Sequence, residues 1–249
     1  MKLTVVGCAG SFPGPESPCS AYLVEAEGFR LLMDFGTGAL GALQRYADMH
    51  SIDAVLLSHL HADHILDACS YVVARRYAPD APLPQIPVYG PEGTAQRLAA
   101  AYDGGGNGGL DDIYRFHTLR PGTLEIGPFR VTVDRVNHPV ETYGVRLEHG
   151  GSALAYSADT AGCDALTRLA KDADLFLCEA SYLSSYDNPP DLHLTGVEAG
   201  EHATRAGAGR LLLTHLVQAW GDESVTVAEA ASTYDGPIEV VRPGATYQL

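Results

Sequence analysis

Ser58-His59-Leu60-His61-Ala62-Asp63-His64 decides how the rest of this chain is read. The heptapeptide follows Ala54-Val55-Leu56-Leu57, a short apolar run with the character of a buried strand. It precedes residues 65–77, whose pattern predicts an amphipathic helix. His59, His61, Asp63 and His64 therefore sit where a strand hands over to a helix, and alternation puts His59 and His61 on one side. Imidazole plus carboxylate is the ligand set of zinc or a similar first-row divalent ion. An open catalytic site usually takes three protein ligands and a water. Four candidate ligands so close together are too many for one ion and point to two side by side. A purely structural role fits poorly, since burying such a cluster without metal would strand several polar groups.

Working outward, the chain offers further ligand-type residues at matching positions. His138 follows the alternating run Phe129-Arg130-Val131-Thr132-Val133-Asp134-Arg135-Val136. Asp159 follows Ala153-Leu154-Ala155-Tyr156-Ser157, and His215 follows Arg210-Leu211-Leu212-Leu213-Thr214. Each is a ligand-type side chain at the end of a short strand-like run, and strand ends on one edge of a sheet converge in many enzyme folds. Asp34, after Arg30-Leu31-Leu32-Met33, is read either as an acceptor for a metal-bound histidine or as an ordinary turn residue before Gly36.

These residues together resemble the metallo-β-lactamase superfamily, over nearly the whole chain. The resemblance implies an α/β fold, a four-layer αββα sandwich with metals at the edge the two sheets share. It implies one metal on His59, His61 and His138, a second on Asp63, His64 and His215, and Asp159 bridging them. Two more motifs are similar to the branch containing the transfer-RNA 3′-processing ribonucleases and related phosphodiesterases. Leu177-Cys178-Glu179-Ala180-Ser181 resembles its glutamate-bearing strand end, and His193-Leu194-Thr195 resembles its His-x-Thr/Ser motif. The resemblance implies that His193 stands beside the metals, held by Glu179, and that Asp63, His193 and Glu179 are the catalytic residues. The stretches Gly7-Cys8-Ala9-Gly10-Ser11-Phe12-Pro13-Gly14-Pro15, Arg75-Arg76-Tyr77, Tyr143-Gly144-Val145-Arg146 and Pro190-Asp191-Leu192-His193-Leu194 are similar to actinobacterial cyclic-nucleotide phosphodiesterases of this branch. Hydrolysis of a 3′,5′-cyclic nucleotide, cAMP foremost, to the 5′-monophosphate is what that implies. The cofactors implied are two divalent ions, zinc by default with manganese or iron admissible, and the assembly implied is a homodimer.

Composition bears on the substrate. The formal net charge is −15, and Lys2 and Lys171 are the only lysines. A protein that grips folded RNA carries a basic footprint, because phosphate contacts supply most of the affinity, whereas a large negative charge repels such a partner at long range. The ribonucleases of the branch also carry an arm between the counterparts of His138 and Asp159. Here 20 residues separate the two, too few for an arm. A small phosphodiester is therefore expected, with transfer-RNA processing or another reaction of the same fold as the alternative and a non-catalytic scaffold as a third reading.

Residues 1–249 are expected to form one domain, with strands at 3–7, 21–25, 29–35, 86–89, 143–148, 152–157, 238–241 and 245–248 and helices at 39–47, 92–102, 164–171, 195–206 and 225–232. The glycine-rich segment 103–109 is read as a mobile lid or a slack connection. Tyr143, Tyr182, Tyr186 and Trp220 are candidates for stacking on a base, and Arg75, Arg76 and Arg146 for meeting phosphate or ribose, against a default of packing or solvation. Five scattered cysteines without a Cys-x-x-Cys pair fit reduced thiols in a cytoplasmic protein. No apolar stretch reaches the ~20 residues of a membrane span.

Overall fold

Alternation along the strands builds two sheets that share one buried face. The computed structural model describes residues 1–104, 109–217, 219 and 221–249. The first sheet contains β1 (Lys2–Gly7), β2 (Ala21–Ala26), β3 (Phe29–Met33), β4 (Ala54–Leu56), β5 (Ile86–Gly90) and β6 (Tyr114–Thr118) in spatial sequence. The second runs from β7 (Gly122–Ile126) through β8 (Phe129–Arg135), β9 (Tyr143–His149), β10 (Ser152–Tyr156), β11 (Leu175–Glu179) and β12 (Leu211–Thr214) to β13 (Ile238–Val240). The last strand, β14 (Thr246–Gln248), returns to pair antiparallel with β1.

In β2 and β3, Tyr22, Val24, Leu31 and Met33 point between the sheets, while Leu23 and Leu32 point outward. In β11 and β12, Leu175, Leu177 and Leu212 point inward, and Phe176, Cys178, Leu211 and Leu213 outward. Both faces of the central strands are apolar, so each sheet needs helices on its outside. Against the first lie α1 (Ala39–Leu43), α2 (Ala62–Ile65), α3 (Asp67–Arg76) and α4 (Thr94–Asp103). Against the second lie α5 (Asp164–Leu169), α6 (Gly196–Ala206) and α7 (Glu223–Ala231). The result is the expected αββα layering. No helix among the described residues is long and apolar enough to cross a membrane.

The topology gathers the chemistry. Strands β3 to β6 are parallel, as are β10 to β13. Loops at the carboxyl ends of parallel strands open onto one edge, where α/β sheets hold their ligands. Asp34 follows β3, His59 follows β4, Asp159 follows β10, Glu179 ends β11 and His215 follows β12.

Local departures from the sequence reading have physical causes. The helix expected at 65–77 is α3, which begins at Asp67, and a separate single turn, α2, precedes it with His61 as N-cap, so that Asp63 and His64 lie on that turn. Strands β6 and β7 were not anticipated. Both are edge strands whose exposed polar residues, Arg115 and Thr118 or Thr123 and Glu125, blur the alternation. Helix α6 has the reciprocal cap of Thr195 and Glu198. Within segment 103–109, Gly104 caps α4 in a left-handed conformation, while residues 105–108 and Trp220 lie outside the described residues.

One close approach fixes the site's position. A Cβ on Gly36 would lie 1.9 Å from the backbone oxygen of Asp63 and 2.7 Å from Cβ of Cys19. Gly36→Ala is expected to cost about 1–3 kcal/mol by overpacking, lowering Tm by several degrees in thermal denaturation. An unchanged Tm would mean that the loops can separate freely.

Candidate metal centre

Five imidazoles and two carboxylates converge at the shared edge in two groups. In the first, His61 Nδ1 lies 3.1 Å from His59 Nε2 and 3.2 Å from His138 Nε2, with Asp159 Oδ2 3.6 Å from His59 Nε2. In the second, His215 Nε2 lies 3.1 Å from Asp63 Oδ2, 3.3 Å from His64 Nε2 and 3.4 Å from Asp159 Oδ1. His64 Nε2 is 3.2 Å from the same Asp159 oxygen. Asp159 thus turns one oxygen toward each group.

The far side of each ring sets its tautomer. His64 Nδ1 donates to Asp34 Oδ2 at 2.7 Å, and His138 Nδ1 donates to the Leu192 carbonyl at 2.9 Å. The Ser58 hydroxyl donates to Asp34 Oδ2 at 2.9 Å, so at 3.1 Å it accepts from His59 Nδ1. The Ser181 hydroxyl donates to the His215 carbonyl at 2.7 Å and accepts from His215 Nδ1 at 2.9 Å. Four histidines therefore turn Nε2 inward, the arrangement that partners of metal-binding imidazoles enforce.

The backbone is bent to reach this arrangement. Asp34, Ala158 and His215 have φ of 56°, 53° and 57°, and Ser11, whose N–H donates to Asp63 Oδ2 at 3.0 Å, has φ of 62°. Left-handed conformations in non-glycine residues cost energy and cluster at functional sites.

These donors fit metal ions. Asp159 is only 2% exposed, and its Oδ1 is a buried oxygen without a hydrogen-bond partner. Burial pushes His59, His61 and His138 below the ordinary imidazole range, so they are neutral and free to ligate at neutral pH. Burial also acts to lower His64, but the carboxylates of Asp159 and Asp34 outweigh it and hold that ring protonated when no ion is present. Burial would raise the Asp63 carboxyl, yet hydrogen bonds from His215 and His64 keep it well below the usual carboxylate range.

Beside these groups stands His193. Its Nδ1 donates to Glu179 Oε1 at 2.8 Å, and its ring lies 5.5 Å from that of His215 and 5.6 Å from that of His138. Glu179 is fully buried and saturated: Oε1 also accepts from the Thr160 N–H at 2.8 Å, and Oε2 from the N–H groups of Ser181 and Leu194 at 3.2 and 3.3 Å. Burial works against charge on His193, but Glu179 overcomes it and raises the imidazole to about 9.

The structure thus brings together all nine residues expected as metal ligands or catalytic groups. Asp34, read with an alternative, is the acceptor for His64. Tyr143 is instead a core residue between the sheets. Arg75 is buried against the ring of Tyr71, Arg76 pairs with Asp112, and Arg146 binds Glu148 and the backbone oxygens of Leu169 and Lys171. These four take the default role of packing and pairing. The sequence reading missed Tyr156, whose hydroxyl donates to Asp34 Oδ2 at 2.7 Å, and the supporting hydroxyls of Ser58 and Ser181. The two serines adjoin or share the motifs; an inward-facing strand tyrosine carries no signal of its own.

Comparison with known proteins agrees with the fold. A beta-lactamase superfamily domain matches residues 30–216. The chain is 45% identical over 256 residues to an uncharacterized protein of Mycobacterium tuberculosis H37Rv, covering 100% of this chain and 92% of that protein. It is 31% identical to the probable metallo-hydrolase YhfI of Bacillus subtilis, covering 100% of both chains. The crystal structure of YhfI superposes with a TM-score of 0.89 over 99% of this chain and 98% of that one. A ribonuclease Z of Mycolicibacterium gilvum is 32% identical over 277 residues, covering 96% of this chain and 93% of the ribonuclease. The chain belongs to the metallo-β-lactamase superfamily and is a metal-dependent hydrolase.

Two outcomes test the centre. Because an entering ion must displace the proton on His64, metal affinity is expected to rise with pH, with proton release visible by calorimetry in buffers of different ionisation enthalpy. Affinity that does not change between pH 6 and 8 would contradict this. Tyr156→Phe should leave the core packed but weaken metal binding about 10-fold, as loss of a supporting hydrogen bond does. Equilibrium competition with a chelator measures it.

Proposed function

We propose that this superfamily member is a dinuclear phosphodiesterase acting on a small diester, a 3′,5′-cyclic nucleotide and foremost cAMP, to give the 5′-monophosphate. The observation that carries the reading is the Glu179–His193 pair set beside the two ligand groups. His59, His61 and His138 would hold one ion, and Asp63, His64 and His215 the other, with Asp159 shared. Zinc is the default ion, with manganese or iron admissible. Bound ions would supply Lewis acidity toward the phosphoryl oxygens and acidify a water for attack.

The chain's own residues then have distinct tasks. Asp63, fixed by the Ser11 N–H and His215, orients the attacking water and accepts its proton. His193, kept protonated by Glu179, donates to a phosphoryl oxygen or gives its proton to the departing 3′-oxygen. A leaving alkoxide needs such a donor.

The alternative is cleavage of RNA, favoured by the likeness to ribonuclease Z. Two observations weigh against it. The charge of −15 opposes a polyanion. The ribonuclease alignment spans 277 positions although this chain has 249 residues, so the ribonuclease contains segments without a counterpart here.

Asp63→Ala is expected to abolish turnover on cAMP and on bis(p-nitrophenyl) phosphate alike. His193→Ala should retain metal content by elemental analysis yet lower kcat by about 10²-fold or more; loss of metal with His193 would refute its role as a donor. The protonated donor is lost as pH rises through its pKa, so rate falls on the alkaline side. Glu179→Gln removes the charge that raises His193 and should move that limb to lower pH, whereas an unmoved limb would assign it elsewhere.

A further inference from the structure

A concave pocket of about 240 Å³ adjoins the ligand cluster, on the side of His193 and His215. Its wall begins with the residues that follow Glu179: Ser181, Tyr182 and Leu183. Leu216 and Val217, which follow His215, face them, and Tyr186 stands at the mouth. Two contacts tie the pocket to the centre. Ser181 Oγ is 2.9 Å from His215 Nδ1, and the ring of Tyr182 meets the His193 ring edge-on, with centroids 5.1 Å apart. A ligand in the pocket therefore meets Ser181 and Tyr182, each of which touches a histidine of the site.

The lining defines the chemistry of the occupant. Leucine, valine, alanine and tyrosine make the walls mostly apolar. Among the described lining residues there is no lysine, arginine or histidine, so nothing there would neutralise a second phosphate. The polar groups are oxygen-rich. Asp187 brings a carboxylate, and Asn188 commits its amide nitrogen to the Leu183 carbonyl at 2.8 Å, which leaves its oxygen to offer. Glu223 is already paired with Arg242. The volume is below the roughly 300–1,000 Å³ of pockets that enclose drug-sized molecules, which suits one heterocycle.

We infer that this pocket is the base subsite, taking an uncharged purine through stacking on its tyrosines and through donation from an exocyclic amino group to its oxygen acceptors. The inference rests on the phosphodiesterase reading for the phosphate's place, and it deepens that reading by assigning the base to a named pocket whose chemistry would select it. A 6-amino purine is favoured over a 6-oxo purine, whose carbonyl would face those oxygens.

Adenosine and inosine, which carry no phosphate, test the pocket by calorimetric titration of the full chain. Adenosine is expected to bind at least 5-fold more tightly than inosine. Leu183→Trp, which fills the pocket, should weaken adenosine at least 10-fold, and Tyr186→Ala, a change at an exposed position, should weaken it several-fold should the first variant fail to fold. Absence of adenosine binding, or affinity within 2-fold of the original in the variants, would overturn the pocket assignment. Equal binding of inosine would overturn the amino preference. Turnover of bis(p-nitrophenyl) phosphate by the metal-loaded protein separately judges the phosphodiesterase reading, so the two failures are distinguishable.

Discussion

The site depends on keeping the Asp159 carboxylate ionised where water does not reach. Burial alone would drive that group toward its neutral form, yet His215 and His64 face it and hold it well below the ordinary carboxylate range. Its two oxygens face two different sets of nitrogen atoms, and one of them lacks any hydrogen bond. A buried charge is stable only when paired or coordinating. The left-handed turns at Asp34, Ala158 and His215, the outward hydrogen bonds of the histidines and the close packing at Gly36 all serve to aim donors at this carboxylate.

Asp34 extends the same logic across the sandwich. It lies on the loop after β3, but its oxygens accept from Ser58 and His64 on the first sheet's side and from Tyr156 on the second's. Removing it would leave two buried hydroxyls, an N–H and an imidazole without this acceptor, at roughly 1–3 kcal/mol for each unsatisfied group. One aspartate therefore joins the two sheets at the edge where they must be in register for the ligand groups to meet. Glu179 does similar work for His193, with every acceptor position filled.

Much of this was readable from residue order, because ligand atoms must come from a few residue types and strand ends place them. The run from Ser58 to His64 exposes the centre, and the outlying His138, Asp159 and His215 follow from the same strand-end rule. Glu179 and His193 were legible only by resemblance, since neither an acidic strand end nor a histidine before a helix is informative alone. Tyr156 was not legible at all: an inward tyrosine in a β-strand looks like packing until its hydroxyl is seen to meet Asp34. The edge strands β6 and β7 escaped because one-sided burial there leaves a polar pattern. Arginines proposed for a phosphate turned out to be tied to local carboxylates and carbonyls, a distinction that depends on tertiary neighbours.

The most direct test of the account is anomalous diffraction from crystals of the zinc-loaded protein at the zinc absorption edge. Two peaks are expected, one on each side of the Asp159 carboxylate, the first surrounded by His59, His61 and His138 and the second by Asp63, His64 and His215. A single peak, or peaks that leave Asp159 without a partner, would contradict a shared buried carboxylate as the organising feature of this protein.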